Sequence, residues 1–370
     1  MRVLVLNAGS SSLKVSLVDE DDTVLVDREF EAAEGRVDEA QLAAAIHELQ
    51  GIEAIGHRVV HGGPRLRASV RIDGQVISYL VTITDLAPLH LPAALAAMSS
   101  VRELLPRTPA VACLDTAFHS RMPAAASTYA IPDEWRDRYG IKRYGFHGFS
   151  HAYASRRAAE MLGLSPHNLR VVTCHLGAGA SLAAVRGGRS VDTTMGFTPL
   201  EGLVMATRSG TVDPGALLYL ERHAGISEPE LTDALDRSGG LLALAGTGDM
   251  REILKRIENG DDHAELAFDV YIHRLRALIA SMAAAMNGLE ALVFTGGVGE
   301  NAAPVRAAAV DGLRFLGLEI DPALNSNAGA DANIAASGAA VPTLVVKARE
   351  SVEVAREVRR VLAATPSAAP

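Results

Sequence analysis

Three short segments rich in small residues could hold an anion on backbone donors: Asn7–Lys14 (NAGSSSLK), His175–Ser181 (HLGAGAS) and Phe294–Asn301 (FTGGVGEN). In the first, a Gly/Ser turn between two strand-like runs carries Ser10, Ser12 and a single lysine, Lys14. Backbone N–H groups in such a turn approach phosphate oxygens without obstruction by a Cβ, and hydroxyls and an ammonium add further donors. One such turn is commonly just a hairpin. The second, with His175, Gly177 and Gly179, and the third, with Gly296, Gly297, Gly299, Glu300 and Asn301, change the balance. Two like hairpins and a strand-to-glycine loop opening a helix would surround a polyphosphate and leave a nucleoside beside it. The pattern is neither GxxxxGK[ST] nor a GxGxxG in its strand–helix setting.

Short strands must position these turns. Met1–Asn7, Leu13–Val18 and Thr23–Arg28 read as a β-meander whose first hairpin lies around Gly9. The pattern returns far downstream in Arg170–His175, Ser181–Val185 and Ser190–Thr193, separated by Gly177–Gly179 and Gly187–Gly188. An internal duplication with Gly9 matching Gly177 accounts for it. Helix-period segments over Asp38–Leu49, Ala93–Leu104 and His151–Leu162 alternate with strands such as Ala110–Leu114 and Ala291–Thr295, which predicts an α/β chain with mixed sheets. In Ala264–Met286, the residues Tyr271, Leu275, Leu278, Met282 and Ala285 form one apolar stripe, suited to a core or to a dimer seam. The last helix, Val352–Leu362, carries Val352, Ala355, Val358 and Val361 on one face, and Thr365–Pro370 reads as a frayed end.

At 370 residues and 48% hydrophobic, the chain exceeds the ~250–300 residues at which single cores stop growing, so two domains are expected. Its formal charge is −9 without a basic run, which argues against a nucleic-acid partner, and any anionic ligand must be held by local groups. The Met1–Asn7 start lacks the basic and apolar regions of a secretory signal, so a cytoplasmic location is expected. Arg276, Asn287 and Glu290 interrupt the apolar stretch Leu275–Phe294 short of the ~20 residues a membrane span needs. Cys113 and Cys174 each sit in a strand-like apolar run, fitting buried thiols in a reducing compartment.

Further segments give the pattern an identity. GHRVVHGG (Gly56–Gly63), LDTAFH (Leu114–His119), YGFHGFSH (Tyr144–His151), DTTMGFTPLEG (Asp192–Gly202) and TRSGTVDPG (Thr207–Gly215), in order with the three glycine segments, resemble the signatures of the acetate kinase family over nearly the whole chain. The resemblance implies two duplicated ribonuclease H-like domains with an interdomain cleft, the fold of acetate and sugar kinases, Hsp70 chaperones and actin. The first domain would comprise residues 1–119 plus 351–370. The second, 120–350, would hold the second hairpin, the adenosine loop and the interface of a homodimer. The implied reaction is reversible transfer of the ATP γ-phosphoryl group to acetate or another short-chain carboxylate, giving acyl phosphate and ADP, with Mg²⁺ or Mn²⁺.

Such a transfer brings two anions together, so cations and donors around the reacting phosphorus matter more than a strong base. Arg58 and Arg208 suit that need, since a guanidinium grips carboxylate or phosphoryl oxygens bidentately, and the resemblance places both in the active site. It does the same for Asp115 and His147. Asp115 ends the apolar strand Val111–Leu114, where a carboxylate either emerges at the C-terminal edge of a sheet or caps the next helix. Asn7 and Glu350 match the family's metal-side residues, and Val60, Leu89, Phe146 and Pro199 its small apolar pocket for the acyl group. One methylene in such a pocket is worth only ~1–3 kcal/mol, so acetate and propionate are not separated by these residues.

The sequence departs from the family at three places. Ala178 stands where HLGNG has asparagine, Ala348-Arg349 stand where Thr-Asn precede the glutamate, and the stretch between Lys14 and Arg58 is short. Two other readings share the hairpins: a relative using propionate, butyrate or pyrophosphate, and a non-catalytic ATP-binding switch of the Hsp70 or actin type. FTGGVGEN favours a nucleotide over pyrophosphate, and a switch has no evident need for Arg58, Arg208 and His147 together.

Overall fold

The computed structural model describes residues 1–9, 12–31, 38–88 and 90–364; Ser10, Leu89 and the tail Thr365–Pro370 lie outside the described residues. These divide into two compact units, the first comprising Met1–Ser120, Phe146–Tyr153 and Arg349–Pro370, the second Arg121–Gly145 and Ala154–Ala348.

The first unit is built on six strands: β1 (Val3–Ala8), β2 (Ser12–Val18), β3 (Val24–Glu31), β4 (Ala54–Val59), β5 (Val70–Arg71) and β6 (Ala110–Leu114). Their order is β3-β2-β1-β4-β6-β5, with an antiparallel meander at one side and β1, β4 and β6 parallel. A parallel strand is covered on both faces, so β1 reads as the unbroken apolar run VLVL. Val3 and Val5 face a cluster containing Val354, Ala355, Val358 and Val361 of the helix Glu350–Ala364. Leu4 and Leu6 face the helices Glu39–His47 and Leu91–Leu104 through Leu42, Ile46, Ala94 and Val101.

The second unit repeats the plan with β7 (Arg170–Leu176), β8 (Ala180–Arg186), β9 (Arg189–Thr193), β10 (Ala291–Thr295), β11 (Ala332–Asn333) and β12 (Thr343–Val345). Its order, β9-β8-β7-β10-β12-β11, matches the first sheet strand for strand. The expected duplication and the α/β fold class are both borne out. Gly9 N–H closes the first hairpin on Ser12 O at 2.8 Å, and Gly177 N–H closes its counterpart on Gly179 O at 3.0 Å.

The long helix Asp262–Ala285 corrects one detail of the expected stripe. Tyr271, Leu275 and Met282 are buried, but Ile279 and Met286 take the places given to Leu278, which is half-buried, and Ala285, which is exposed. The spacing along the buried face is four, four, three and four, so the stripe follows the 3.6-residue turn rather than a strict heptad. Among the described residues no helix is long and apolar enough to cross a membrane.

Candidate active site

In the first unit the sheet register assembles the charged residues. Asn7 on β1 pairs with Lys14 on β2 and with Arg58 on β4, and Arg58 pairs with Cys113 on β6. Because side chains alternate across a strand, Asn7 shares a face with Val3 and Val5, the face covered by the helix that begins at Glu350. Arg58 therefore bonds two acceptors and approaches a third. Its Nη1 donates to Asn7 Oδ1 at 3.0 Å, its Nη2 to Asp115 Oδ2 at 2.6 Å, and its Nε lies 3.7 Å from Glu350 Oε2. Burial works against the Arg58 charge, yet Asp115 and Glu350 hold its pKa above the usual arginine value.

Asp115 follows the last residue of β6 and is buried. Besides Arg58, its Oδ2 accepts the backbone N–H of His147 at 3.1 Å, and Oδ1 that of Phe149 at 3.4 Å. The carboxylate thus caps the helix Gly148–Met161, over thirty positions on in the chain, and not the short turn that follows it. Tight backbone packing makes this possible: a Cβ on Gly148 would lie 2.0 Å from the Asp115 carbonyl oxygen. His147 itself adopts the left-handed region at φ 55°, half-buried at the helix entrance. This contact is why Phe146–Tyr153, inside the span expected for the second domain, packs with the first unit. Val60 and Phe146 are buried in the same unit, the Phe146 ring 5.5 Å from that of His61. Ser12 and Lys14, the latter paired with Asn7 across the hairpin, share Glu29: Ser12 Oγ donates to Oε1 at 2.7 Å, and Lys14 Nζ lies 3.7 Å from Oε2.

The second unit presents a different cation. Arg208 Nη1 donates to Pro199 O at 2.6 Å, and among the described residues Arg208 makes no ion pair. Burial lowers its pKa, opposed only by the charge of Asp236. A guanidinium held this way keeps its charge with no carboxylate at ion-pair distance among the described residues, Asp236 acting on it only from farther off, which favours an anionic ligand. The loop that supplies Pro199 is fixed by a network the sequence did not reveal. Tyr129 Oη donates to Glu201, Arg143 Nη2 donates to the other Glu201 oxygen at 2.5 Å, and Phe197 N–H donates to Tyr129 Oη at 3.1 Å. Arg143 also takes the carbonyls of Thr193, Thr194 and Met195 at 3.1–3.2 Å. Glu201 lies within DTTMGFTPLEG, and that inclusion was the one available signal.

At the glycine turns, His175 pairs with Ser181 on β8 and Thr295 on β10. Gly177 and Gly179 are half-buried and Ala178 is exposed. The third segment turns at Gly296, where φ is 79° and a Cβ would meet Leu176 O at 2.8 Å. It continues as the one-turn helix Gly296–Asn301, with Gly297 exposed, Gly299 buried and Asn301 Nδ2 bonded back to Gly297 O at 2.9 Å.

Residues 27–356 match the model of the acetokinase family. The chain belongs to that family. It is 45% identical to the acetate kinase of Gloeobacter violaceus over 96% of this chain and 98% of that one. It is likewise 45% identical to the acetate kinase of Streptomyces griseus, covering 96% and 95%. Among solved structures it resembles the acetate kinase of Porphyromonas gingivalis at 35% identity and a TM-score of 0.89, covering 98% and 99%. A propionate kinase from Francisella tularensis gives 36% identity and the same TM-score, covering 97% and 99%.

Family membership raises the question of a metal. Among the described residues, no cluster of three or more His, Cys, Asp or Glu could enclose one. The donor set nonetheless fits Mg²⁺, which keeps several waters and takes one or two carboxylates plus substrate phosphates. Hard oxygens of Asn7, Asp115 and Glu350 converge on the Arg58 guanidinium. In this acetokinase Arg349, beside Glu350, donates through Nη1 to Tyr153 Oη at 2.9 Å.

Proposed function

We propose that the protein is an acetate kinase-type phosphotransferase, moving the γ-phosphoryl group reversibly between ATP and acetate or a similarly short carboxylate. The observation that carries the reading is Arg208, a half-buried guanidinium bonded to a carbonyl and, among the described residues, in no direct ion pair with a carboxylate. Arg58 complements it as a cation already fixed by acids. In the forward direction a carboxylate oxygen attacks the γ-phosphorus, the bond to the β-phosphate oxygen breaks, and ADP leaves with the electron pair. The carboxylate is ionised at neutral pH, so no base is required. Arg58 and Arg208 offset the charge on the transferred group, and His147, held by Asp115, donates to its equatorial oxygens.

Asn7 and Glu350 would hold Mg²⁺, which when bound neutralises the β- and γ-phosphate oxygens. Ser10, Ser12, Lys14, His175, Gly177 and Gly179 are assigned to phosphate, and the segment from Gly296 through Asn301 to the nucleotide. Val60, Leu89, Phe146 and Pro199 are assigned to the acyl group; propionate falls within the same reading. Two buried free thiols, Cys113 and Cys174, support a reducing, cytoplasmic setting. A homodimer through the second unit is supported by the helix Pro214–Ala224, which buries none of its residues and leaves Leu218 61% and Tyr219 63% exposed.

The test is a panel of carboxylates of one to five carbons with ATP and Mg²⁺, trapping acyl phosphate with hydroxylamine. Hydroxamate from acetate or propionate is expected. A panel that never exceeds the enzyme-free control overturns the reading.

A further inference from the structure

Glu300 belongs to the segment assigned to the nucleotide, yet its carboxylate is engaged within the protein. One oxygen, Oε1, accepts the backbone N–H of Gly296 at 3.0 Å and that of Ala348 at 2.9 Å. Gly296 is the left-handed turn that ends β10, and Ala348 follows the parallel neighbour β12. The side chain therefore spans the carboxyl ends of two adjacent parallel strands, the edge of an α/β sheet where ligands bind. Ala348 leads directly into Arg349 and Glu350.

The backbone of Glu300 is anchored just as firmly. Arg306, only 2% exposed, donates through Nη1 to Gly299 O at 2.9 Å and Glu300 O at 2.8 Å. Its other nitrogens take Asn325, with Nε to Oδ1 at 2.8 Å and Nη2 to the carbonyl at 2.7 Å. Burial lowers the Arg306 pKa, and its partners are all neutral oxygens, so it acts as a fork for carbonyls and not as half of an ion pair.

We propose that Glu300 is a positioning residue: anchored by Arg306, it clasps Gly296 to Ala348 and fixes the nucleotide-facing turn against the stretch of chain that follows β12. This rests on the proposed nucleotide site and assigns Glu300 there a role as an acceptor of backbone N–H groups. Its negative charge need not touch the ligand.

Charge and reach can be separated. Glu300→Gln keeps an oxygen at the same distance and removes the charge; Glu300→Asp keeps the charge and withdraws the oxygen by one methylene. ADP binding, measured by calorimetry on the full-length protein with Mg²⁺, is expected to change less than about twofold in Glu300→Gln. In Glu300→Asp it is expected to weaken by roughly tenfold or more, the scale of losing two backbone hydrogen bonds. Glu300→Asp binding like wild type while Glu300→Gln fails would assign the charge to ligand contact and overturn the clasp. Both variants binding normally, or both failing alike, would overturn it as well. Failure of the wild-type protein to bind ADP would instead remove the nucleotide site on which the clasp depends.

Discussion

Arg58 Nη2 donates to Asp115 Oδ2 at 2.6 Å, and the same oxygen accepts the backbone N–H of His147 at 3.1 Å. One buried carboxylate thus sets both the position of a cation and the entry of the helix carrying the histidine. Asp115→Asn turns an amide donor either toward both of these donors or, reversed, toward the Phe149 N–H, and leaves Arg58 partly uncompensated. Breaking a buried pair from one side costs about 3–5 kcal/mol. The variant is expected to lose stability toward the lower end of that range, and at least a hundredfold in kcat, in denaturant melts and initial rates. A large rate loss at unchanged stability would mean that Asp115 acts on the substrate and not through its two partners.

The two arginines should part company in stability. Arg58→Ala leaves Asp115 and Glu350 without their shared cation, at a cost on the scale of about 3 kcal/mol or more. Arg208→Ala removes a half-buried charge that makes no direct ion pair among the described residues, so the fold is expected to hold within about 1 kcal/mol. Both variants are expected to lose turnover heavily. Matched urea melts and kcat values check this, and equal destabilisation by the two substitutions would contradict it.

His57 and His119 are both buried, and burial pushes each pKa down to about 4; for His119 a bond to Phe146 O and the charge of Asp115 oppose the shift. Both stay neutral in the folded state at a pH where the unfolded chain, near 6.5, already takes up protons. Stability is therefore full above pH ~6.5 and is lost as the pH falls from there toward 4, by roughly 3 kcal/mol for each histidine. Urea midpoints between pH 7 and 4 should fall steeply, and His57→Leu should flatten the slope. An unaltered slope in that variant would acquit His57.

The strands and helices were legible because their periods survive in a single sequence: the VLVL run of β1, the meander and its repeat from Arg170, and the apolar face of the last helix. What escaped was what register and long-range capping create. The separation of 51 positions from Asn7 to Arg58 carries no sign that the two will be neighbours on parallel strands. Nor could a capping reading of Asp115 foresee that its helix begins beyond His147. The Tyr129–Glu201–Arg143 network joins three segments with no common periodicity. Motif resemblance supplied Arg58, Asp115 and His147 together, and register explains the company they keep.

Ala178 offers the sharpest test, because it lies at the tip of the second hairpin where the family pattern has an asparagine. The turn is already closed by Gly177 N–H to Gly179 O at 3.0 Å and tied by Ala206 N–H to Ala178 O at 3.1 Å, so its backbone does not depend on the side chain at 178. Ala178 is exposed, and an amide there meets no packed core. If the hairpin holds phosphate, a side-chain amide adds one donor to a charged oxygen, worth about 1.5–3 kcal/mol, or roughly ten- to a hundredfold in rate when made only in the transition state. Ala178→Asn is therefore expected to raise kcat with ATP while leaving the carboxylate KM nearly unchanged, the pattern of an interaction absent from the ground state. Steady-state kinetics with ATP and acetate varied separately check it, with a thermal melt to confirm the fold. A kcat that stays flat or falls in a properly folded variant would mean that another donor already serves that oxygen, and Lys14 on the matching hairpin of the first unit would be the cation to substitute next.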